Sequence, residues 1–114
     1  MTRLIYKILS ATEWQAAERA GVFKGVGIDL TDGFIHFSTA EQAAETAAKH
    51  FAGQAGLVLV AVDPEKLGAA LKWEVSRGGQ LFPHLYASLL TRDVAWAKAL
   101  PVDVDGKHSF PAMV

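Results

Sequence analysis

The chain has 114 residues, of which 51% are hydrophobic and 20% charged, a composition that supports one compact core and argues against disorder. Its 11 basic and 12 acidic residues leave a formal charge of -1, which excludes the cationic field needed for non-specific binding to nucleic acid or anionic membranes. There is no cysteine, so disulfides, thiolate metal sites and a cysteine nucleophile are excluded. The sequence shows no signal peptide pattern and no apolar run of membrane-spanning length, so we expect a cytoplasmic protein of one domain.

The N-terminal part of the sequence predicts a strand followed by a helix. The run from Leu4 to Leu9 is apolar and stops at Ser10. Ser10 and Glu13 have the spacing of a capping box, and Gly21 stands where a left-handed helix C-cap is usual. Residues 25–33 contain three glycines and the sequence DLTDG, and they predict a loop because Asp and Thr side chains bond nearby amides in turns.

The stretch GFIHFSTAEQ, residues 33–42, predicts a short strand, FIHFS, that runs into a helix. Ser38 or Thr39 can cap this helix, since an acidic or amide side chain lies three residues after each of them. Alanines dominate one face of residues 40–51, which lets a helix lie close against a sheet. Gly53 is expected to end the helix.

The second half of the chain alternates between strand signals and an irregular region. Residues 57–62, LVLVAV, predict a central strand covered on both faces, and Asp63 can cap a short helix after it. Residues 94–100 predict another strand, which is followed by the hairpin turn signal DVDG. Residues 72–90, which lie between these two predicted strands, are irregular and contain many polar and aromatic side chains, which indicates a functional site. We therefore expect one α+β domain, and the order of elements would also permit a parallel sheet.

His36 is the first candidate functional residue, because a histidine within a buried strand requires a polar partner or a ligand. Strand alternation places it on one face with Phe34 and Ser38, while the other face is apolar. The alternative interpretation is a core or edge histidine that a backbone carbonyl satisfies.

Glu74 and Arg77 are candidates because the segment SRGG sets an arginine fork beside flexible backbone amides, which suits a phosphate or a carboxylate. The alternative is an ordinary ion pair between the two side chains. Neither GxGxxG nor GxxxxGK[ST] occurs, so dinucleotide binding of the Rossmann type and P-loop chemistry are unsupported.

His84 and Tyr86 would lie on one face of an extended FPHLY segment, together with Phe82, and such a set suits a stacking pocket. In the alternative, the aromatics belong to the core and His84 is exposed. His50 and His108 are expected to face solvent.

The same residues could in principle form two other kinds of site. His36, His84 and Glu74 are the ligand types of a His-His-carboxylate metal site, but no HExxH or HxH spacing supports one, and no metal is expected. Hydrolysis of the Ser-His-Asp type lacks a G-x-S-x-G elbow.

The sequence closely resembles the family catalogued as domain of unknown function 952. The resemblance rests on IYKI near the N-terminus, on DGFIHFSTAEQ and on SRGGQLFPHLY, and it covers nearly the whole chain. The family name assigns no function.

A more distant resemblance, to the ADP-ribosyltransferase-like enzymes, rests on the pair Tyr6-Lys7 and on IHFST at residues 35–39. Such enzymes often have His or Arg where this chain has Lys7. The resemblance implies a compact α+β domain with a split, largely antiparallel sheet, and NAD as substrate. It implies catalytic roles for Glu74 and His36 and cofactor-binding roles for Lys7, Ser38, Thr39, Arg77, His84 and Tyr86.

The implied chemistry is cleavage of the nicotinamide-ribose bond, in which Glu74 would stabilise developing positive charge, His36 and Ser38 would contact the ribose and Arg77 the pyrophosphate. The main alternative is a non-enzymatic module that binds a nucleotide or another small anionic ligand. A structural protein would instead leave these polar groups paired with one another around no pocket. A nucleic-acid partner and a membrane partner are not favoured.

Overall fold

The computed structural model describes residues 3–113, apart from the side chain of Arg77. Over that range the chain forms three α-helices and eight β-strands. In chain order these are β1 (Ile5–Ser10), α1 (Ala11–Ala20), β2 (Val22–Phe23), α2 (Ile28–Asp32), β3 (Ile35–His36), α3 (Ala40–His50), β4 (Leu57–Val62), β5 (Leu71–Val75), β6 (Leu81–Leu85), β7 (Leu89–Leu90) and β8 (Val94–Leu100). None of the helices in the described part of the chain is long and apolar enough to span a bilayer.

One antiparallel sheet has β4 at its centre, with β1 on one side and β8 on the other. All residues of β4 are buried except Val58, which is half-buried, because both faces of the strand are covered. The central strand predicted at residues 57–62 is therefore confirmed. Its neighbour β1 pairs with it along six residues and sets Lys7 opposite Val60.

A second antiparallel sheet has the order β3-β6-β5, and β2 pairs separately with β7. The two larger sheets meet where Tyr6 of β1 and Ser38, just beyond β3, exchange backbone hydrogen bonds of 2.8 Å each. Since every strand pair among residues 3–113 is antiparallel, the predicted α+β class with antiparallel sheets is confirmed, and the parallel alternative is wrong.

The predicted helix caps are confirmed. The Ser10 hydroxyl accepts from the Glu13 amide at the start of α1, and Gly21 ends that helix with a φ of 79°. At α3, Thr39 and Gln42 form a full capping box. Gly53 was expected to end α3, but the helix ends at His50, because Phe51 leaves the helical region with a φ of -131°.

The alanine face of α3 packs against the first sheet as predicted, although the buried stripe is narrow. Ala43 and Ala47 are buried, whereas Ala44 and Ala48 are exposed. Ala47 packs in a core cluster with Tyr6 and residues of β4. Small side chains at these positions let the helix axis approach the sheet closely.

Three local predictions are wrong. Residues 25–33 are not all loop, because α2 forms there, and Gly33 ends it with a φ of 84°. The strand FIHFS shrinks to Ile35–His36, because Phe37 donates to the carbonyl of Pro83 in β6 but proline has no amide hydrogen to return the bond, and Ser38 then bridges to β1. Residues 72–90 are not irregular throughout, since β5 and β6 form a hairpin whose turn contains glycines 78 and 79 in left-handed conformations.

Candidate functional site

A cavity of about 470 Å³ opens where β1, the β3-β6 pair and α3 meet. Its apolar wall consists of Tyr6, Ile8, Ile28, Phe37, Phe51 and Phe82. Its polar lining consists of Lys7, Asp32, His36, Ser38, Thr46, His50, Ser76 and His84. A concave hollow of this volume that combines apolar surface with convergent polar groups is the usual form of a small-molecule site.

The polar wall is organised around Asp29 of α2, whose side chain is only 1% exposed. Its carboxylate accepts from the ammonium of Lys7 at 2.9 Å, from the amide of Val26 at 3.1 Å and from the amide of His36 at 3.1 Å. The carboxylate oxygen Oδ1 also lies 2.6 Å from the ring atom Nδ1 of His36. Asp32, one turn further along α2, places Oδ2 3.0 Å from Nε2 of the same ring. His36 is therefore fixed at both ring nitrogens by carboxylates.

The buried charges of this wall stabilise one another. Burial opposes the ionisation of Asp29, but the hydrogen bond with His36 and the charge of Lys7 outweigh it and lower the pKa of the carboxyl to about 2. For Lys7 the balance differs, since burial lowers the pKa of its ammonium more than Asp29 raises it. The wall therefore holds a firmly ionised carboxylate beside an ammonium group that releases its proton more readily than an exposed lysine.

A second polar cluster stands on the β5-β6 hairpin. The Glu74 oxygen Oε1 lies 2.8 Å from Nδ1 of His84 and accepts from the Tyr86 hydroxyl at 2.7 Å. These two hydrogen bonds, with that of Tyr86 the larger, lower the pKa of Glu74, and the same carboxylate raises the pKa of Tyr86. Glu74 therefore fixes the orientation of the His84 ring.

His84 also lines the cavity, and its second ring nitrogen, Nε2, is not held by Glu74. The side chain is only 6% exposed, yet no group in the described part of the chain bonds to its Nε2. Among the described residues, Nε1 of Trp14 is the only fully buried side-chain nitrogen or oxygen without a hydrogen-bond partner. Nε2 of His84 is therefore not fully buried. An accessible ring nitrogen without a protein partner, on a ring that the protein holds in place, is what a ligand-binding or proton-transferring imidazole requires.

Phe34 joins the two clusters. Its ring stacks on His84 with centroids 4.2 Å apart, and it contacts the rings of His36 at 4.5 Å and Tyr86 at 5.0 Å. His36 and His84 face each other across the β3-β6 pair, with ring centroids 5.4 Å apart. The aromatic contact and the strand register together hold the two histidines side by side.

The structure brings together most of the residues singled out in the sequence. His36, Ser38 and His84 line the cavity, as does Lys7, and the Ser38 hydroxyl lies 2.9 Å from that of Thr46. The expectation that a backbone carbonyl satisfies His36 is wrong, because Asp29 and Asp32 do so. The alternative of an exposed His84 is also wrong, since the ring is buried.

Other predicted residues lie elsewhere. Glu74 and Tyr86 lie behind His84 and do not line the cavity, and the Thr39 hydroxyl caps α3 beside a different hollow. The side chain of Arg77 lies outside the described part of the structure, so its predicted contacts, with a phosphate or with Glu74, stay predictions. His50 is exposed, as expected, and also lines the cavity, whereas His108 is half-buried and bonds the carbonyl of Gln54.

Sequence reasoning missed Asp29 and Asp32, because DLTDG carries an ordinary turn signal. A buried Lys7 in β1 was the available clue, since a buried ammonium requires a carboxylate partner. In the described part of the chain no group of three or more His, Asp or Glu side chains is placed to hold a metal ion.

These features define a small α+β protein in which two antiparallel sheets and one helix enclose a cavity with a double-histidine wall. The chain belongs to the family "Protein of unknown function (DUF952)", whose model matches residues 8–97. The resemblance found in the sequence is thereby confirmed.

Solved structures of Protein CC0527 from Caulobacter crescentus are similar to this chain. Its crystal structure is 58% identical, with a TM-score of 0.90 and 93% of each chain covered. Its solution NMR structure is 60% identical, with a TM-score of 0.83 and coverage of 91% of this chain and 90% of the other. No curated protein matches this sequence. These relatives bear on the fold and the family, and neither they nor the family description supports the ADP-ribosyltransferase-like assignment.

Proposed function

We propose that this chain binds a nucleotide in the cavity, with NAD as the first candidate, and that Nε2 of His84 contacts the part of the ligand that reacts. The observation that carries the proposal is the His84 ring, which lines the cavity and which Glu74 holds at Nδ1 at 2.8 Å, while Nε2 has no partner in the described chain. A histidine that served structure alone would be expected to pair both ring nitrogens with protein groups, as His36 does with Asp29 and Asp32.

The chemistry of the lining favours a ligand with both a planar ring and hydroxyl groups. Aromatic side chains of Tyr6, Phe37 and Phe82 offer apolar surface to a heterocycle. The hydroxyls of Ser38 and Thr46 and the ammonium of Lys7 offer hydrogen bonds to a ribose or an anionic group. A nucleotide combines these features in one molecule.

If the bound nucleotide reacts, the geometry favours hydrolysis at the anomeric carbon of its ribose. The oxygen of a water molecule forms a bond to that carbon while the bond to nicotinamide breaks, and its electron pair leaves with the nicotinamide. His84 takes the proton of the water through Nε2. Asp32, not Glu74, is the acidic side chain on the cavity wall, so it takes the role of stabilising positive charge on the ribose.

A non-enzymatic ligand-binding module is the second candidate, and one observation favours it. Glu74, the carboxylate expected to take part in chemistry, lies behind His84 and outside the cavity. A module that only binds a nucleotide or a small anion needs the oriented His84 ring and the polar wall, but no carboxylate at the reacting centre.

Calorimetry with NAD, ADP-ribose and AMP tests binding, and an assay for released nicotinamide separates the two candidates. We expect His84→Ala to weaken binding roughly tenfold, as the loss of one hydrogen bond does. His108→Ala is the matched control, because that ring bonds the Gln54 carbonyl away from the cavity and should leave affinity unchanged.

The ring nitrogens of His84 give a second measurement, by nitrogen NMR. Ligand should shift the Nε2 signal and leave the Nδ1 signal nearly unchanged, since Glu74 keeps its hold on Nδ1. Binding without nicotinamide release would support the module. Absence of binding by all three nucleotides at millimolar concentration would refute the nucleotide proposal.

A further inference from the structure

The β5 strand is the free edge of the second sheet, and its outward backbone groups belong to alternate residues. In the hairpin the amide of Tyr86 donates to Ala70 and that of Ser76 donates to Gln80, so positions 70 and 76 are hydrogen-bonded to β6. Hydrogen-bonded and non-hydrogen-bonded positions alternate along an antiparallel pair. The backbone groups of residues 72 and 74 therefore also bond to β6, and those of residues 71, 73 and 75 point away from β6. The amide of Leu71 closes the preceding turn on the carbonyl of Gly68, whereas no described group bonds the outward amides of Trp73 and Val75.

The side chains of β5 fall into two sets that match the backbone alternation. Lys72 and Glu74 point to one face of the hairpin. Trp73 and Val75 point to the other, next to Leu81 of β6, and these three apolar side chains are 45%, 69% and 52% exposed. Three neighbouring apolar side chains this exposed, beside an open strand edge, are typical of an interaction surface.

We propose that β5 pairs antiparallel with β5 of a second copy of this chain, about a two-fold axis at Trp73. The second sheets of the two copies then join into one continuous six-stranded sheet. This inference does not depend on the proposed nucleotide.

The charges of β5 indicate that its partner is a second copy of this chain. In a pairing centred on residue 73, Lys72 of each copy stands opposite Glu74 of the other, in the closely spaced pairs where cross-strand side chains meet. Glu74 uses only Oε1 for His84 and Tyr86 among its described contacts, so Oε2 is available to the lysine of the second copy. A lysine on an edge strand usually discourages pairing with another strand. Lys72 therefore favours a partner strand that has a glutamate directly opposite it, as β5 of a second copy has in Glu74.

The backbone and the apolar face fit the same register. Residues 71, 73 and 75 point their carbonyls outward, and Trp73 and Val75 also point their amides outward. The two-fold axis sets Trp73 opposite Trp73 and Leu71 opposite Val75 of the other copy. The apolar patches of the two copies become neighbours on one face of the joined sheet. Backbone, charge and apolar surface are thus all self-complementary, as a two-fold interface requires.

Sedimentation equilibrium across the micromolar range tests the proposal. We expect the wild-type chain to dimerise and Lys72→Glu to weaken the dimer at least about tenfold, because like charges replace both ion pairs. Lys98→Glu is the matched control, since it makes the same charge change at an exposed position of β8, the edge strand of the other sheet, and should leave the dimer intact.

The register is tested by a charge reversal. The double variant K72E/E74K restores two opposite-charge pairs in this register and should regain the dimer that K72E loses, provided that circular dichroism shows it folded. A monomeric wild-type chain, an equal loss in K72E and K98E, or a folded double variant that stays monomeric would each overturn the proposal.

A single cysteine gives direct evidence of the pairing, because the chain has no cysteine of its own. Residues opposite each other in a hydrogen-bonded antiparallel pair have Cα atoms about 5.5 Å apart, within the range of a disulfide. Trp73→Cys should therefore form a linked dimer under mild oxidation much faster than Val104→Cys, whose position is fully exposed. Equal rates for the two variants would contradict the proposed register.

Discussion

Asp29 holds His36 at two points, through the backbone amide at 3.1 Å and through ring atom Nδ1 at 2.6 Å, while it pairs with Lys7. Asp29→Asn removes the charge and leaves the Lys7 ammonium buried without a counter-ion. We expect a loss of about 3 to 5 kcal/mol in the free energy of unfolding, the usual cost of breaking a buried ion pair. Urea unfolding measures it, with the half-exposed Asp32→Asn as a control that should cost less than about 1 kcal/mol.

The same carboxylate makes stability depend on pH in the acid range. The pKa of Asp29 is about 2 in the folded chain against an ordinary 3.8, so its contribution is fully present above about pH 4 and is lost as the pH falls through the folded pKa. The shift corresponds to about 2 kcal/mol at 1.36 kcal/mol per unit. Urea unfolding from pH 7 down to pH 2 should show this loss in the wild-type chain, and Asp29→Asn should show a flatter profile. Parallel profiles would contradict the assignment.

The features that the sequence predicts correctly are those with local signals. The caps at Ser10 and Thr39 depend on side chains three residues apart, and the strand at residues 57–62 depends on a continuous apolar run. The two-residue strands β2 and β7 carry no such signal, since their formation depends on each other and not on their own sequence.

The candidate site also combines features that have a local sequence signal with features that depend on tertiary structure. Alternation in β3 correctly places His36 and Ser38 toward one side, but the partners of His36 lie on α2, whose sequence DLTDG gives only a turn signal. The residue type of Glu74 predicted a catalytic role, but the register of the β5-β6 hairpin, which no short motif encodes, places its carboxylate behind His84. Residue type therefore predicted which side chains gather, and tertiary structure decided which of them face the cavity.

The capping box of α3 gives a stability prediction at a predicted binding residue. Thr39 accepts from the Gln42 amide, and the Gln42 side chain accepts in turn from the Thr39 amide. Thr39→Ala should therefore cost about 1 kcal/mol of unfolding free energy in urea. Thr12→Ala, at an exposed position within α1, is the control and should change it by less than about 0.5 kcal/mol. A much smaller cost for Thr39→Ala would mean that the cap contributes little.

The bond between Tyr86 and Glu74 predicts a shifted phenol titration. Ionisation of Tyr86 would break its 2.7 Å hydrogen bond to the Glu74 carboxylate and set two negative charges side by side, so its pKa lies above the ordinary 10.0. Glu74→Gln removes one of those charges and should lower the pKa of Tyr86.

Phenolate absorbance measures this titration, and Tyr86→Phe identifies which of the two tyrosines is titrating. Glu41→Gln is the matched control, because that carboxylate pairs with Arg3 on the surface and should leave Tyr86 unchanged. Glu74 also fixes Nδ1 of His84, so the nitrogen signals of that ring should change in Glu74→Gln and stay the same in Glu41→Gln. If Glu74→Gln altered neither Tyr86 nor His84, Glu74 would not be the residue that orients the imidazole, and the ring would owe its position to the stacking of Phe34 alone.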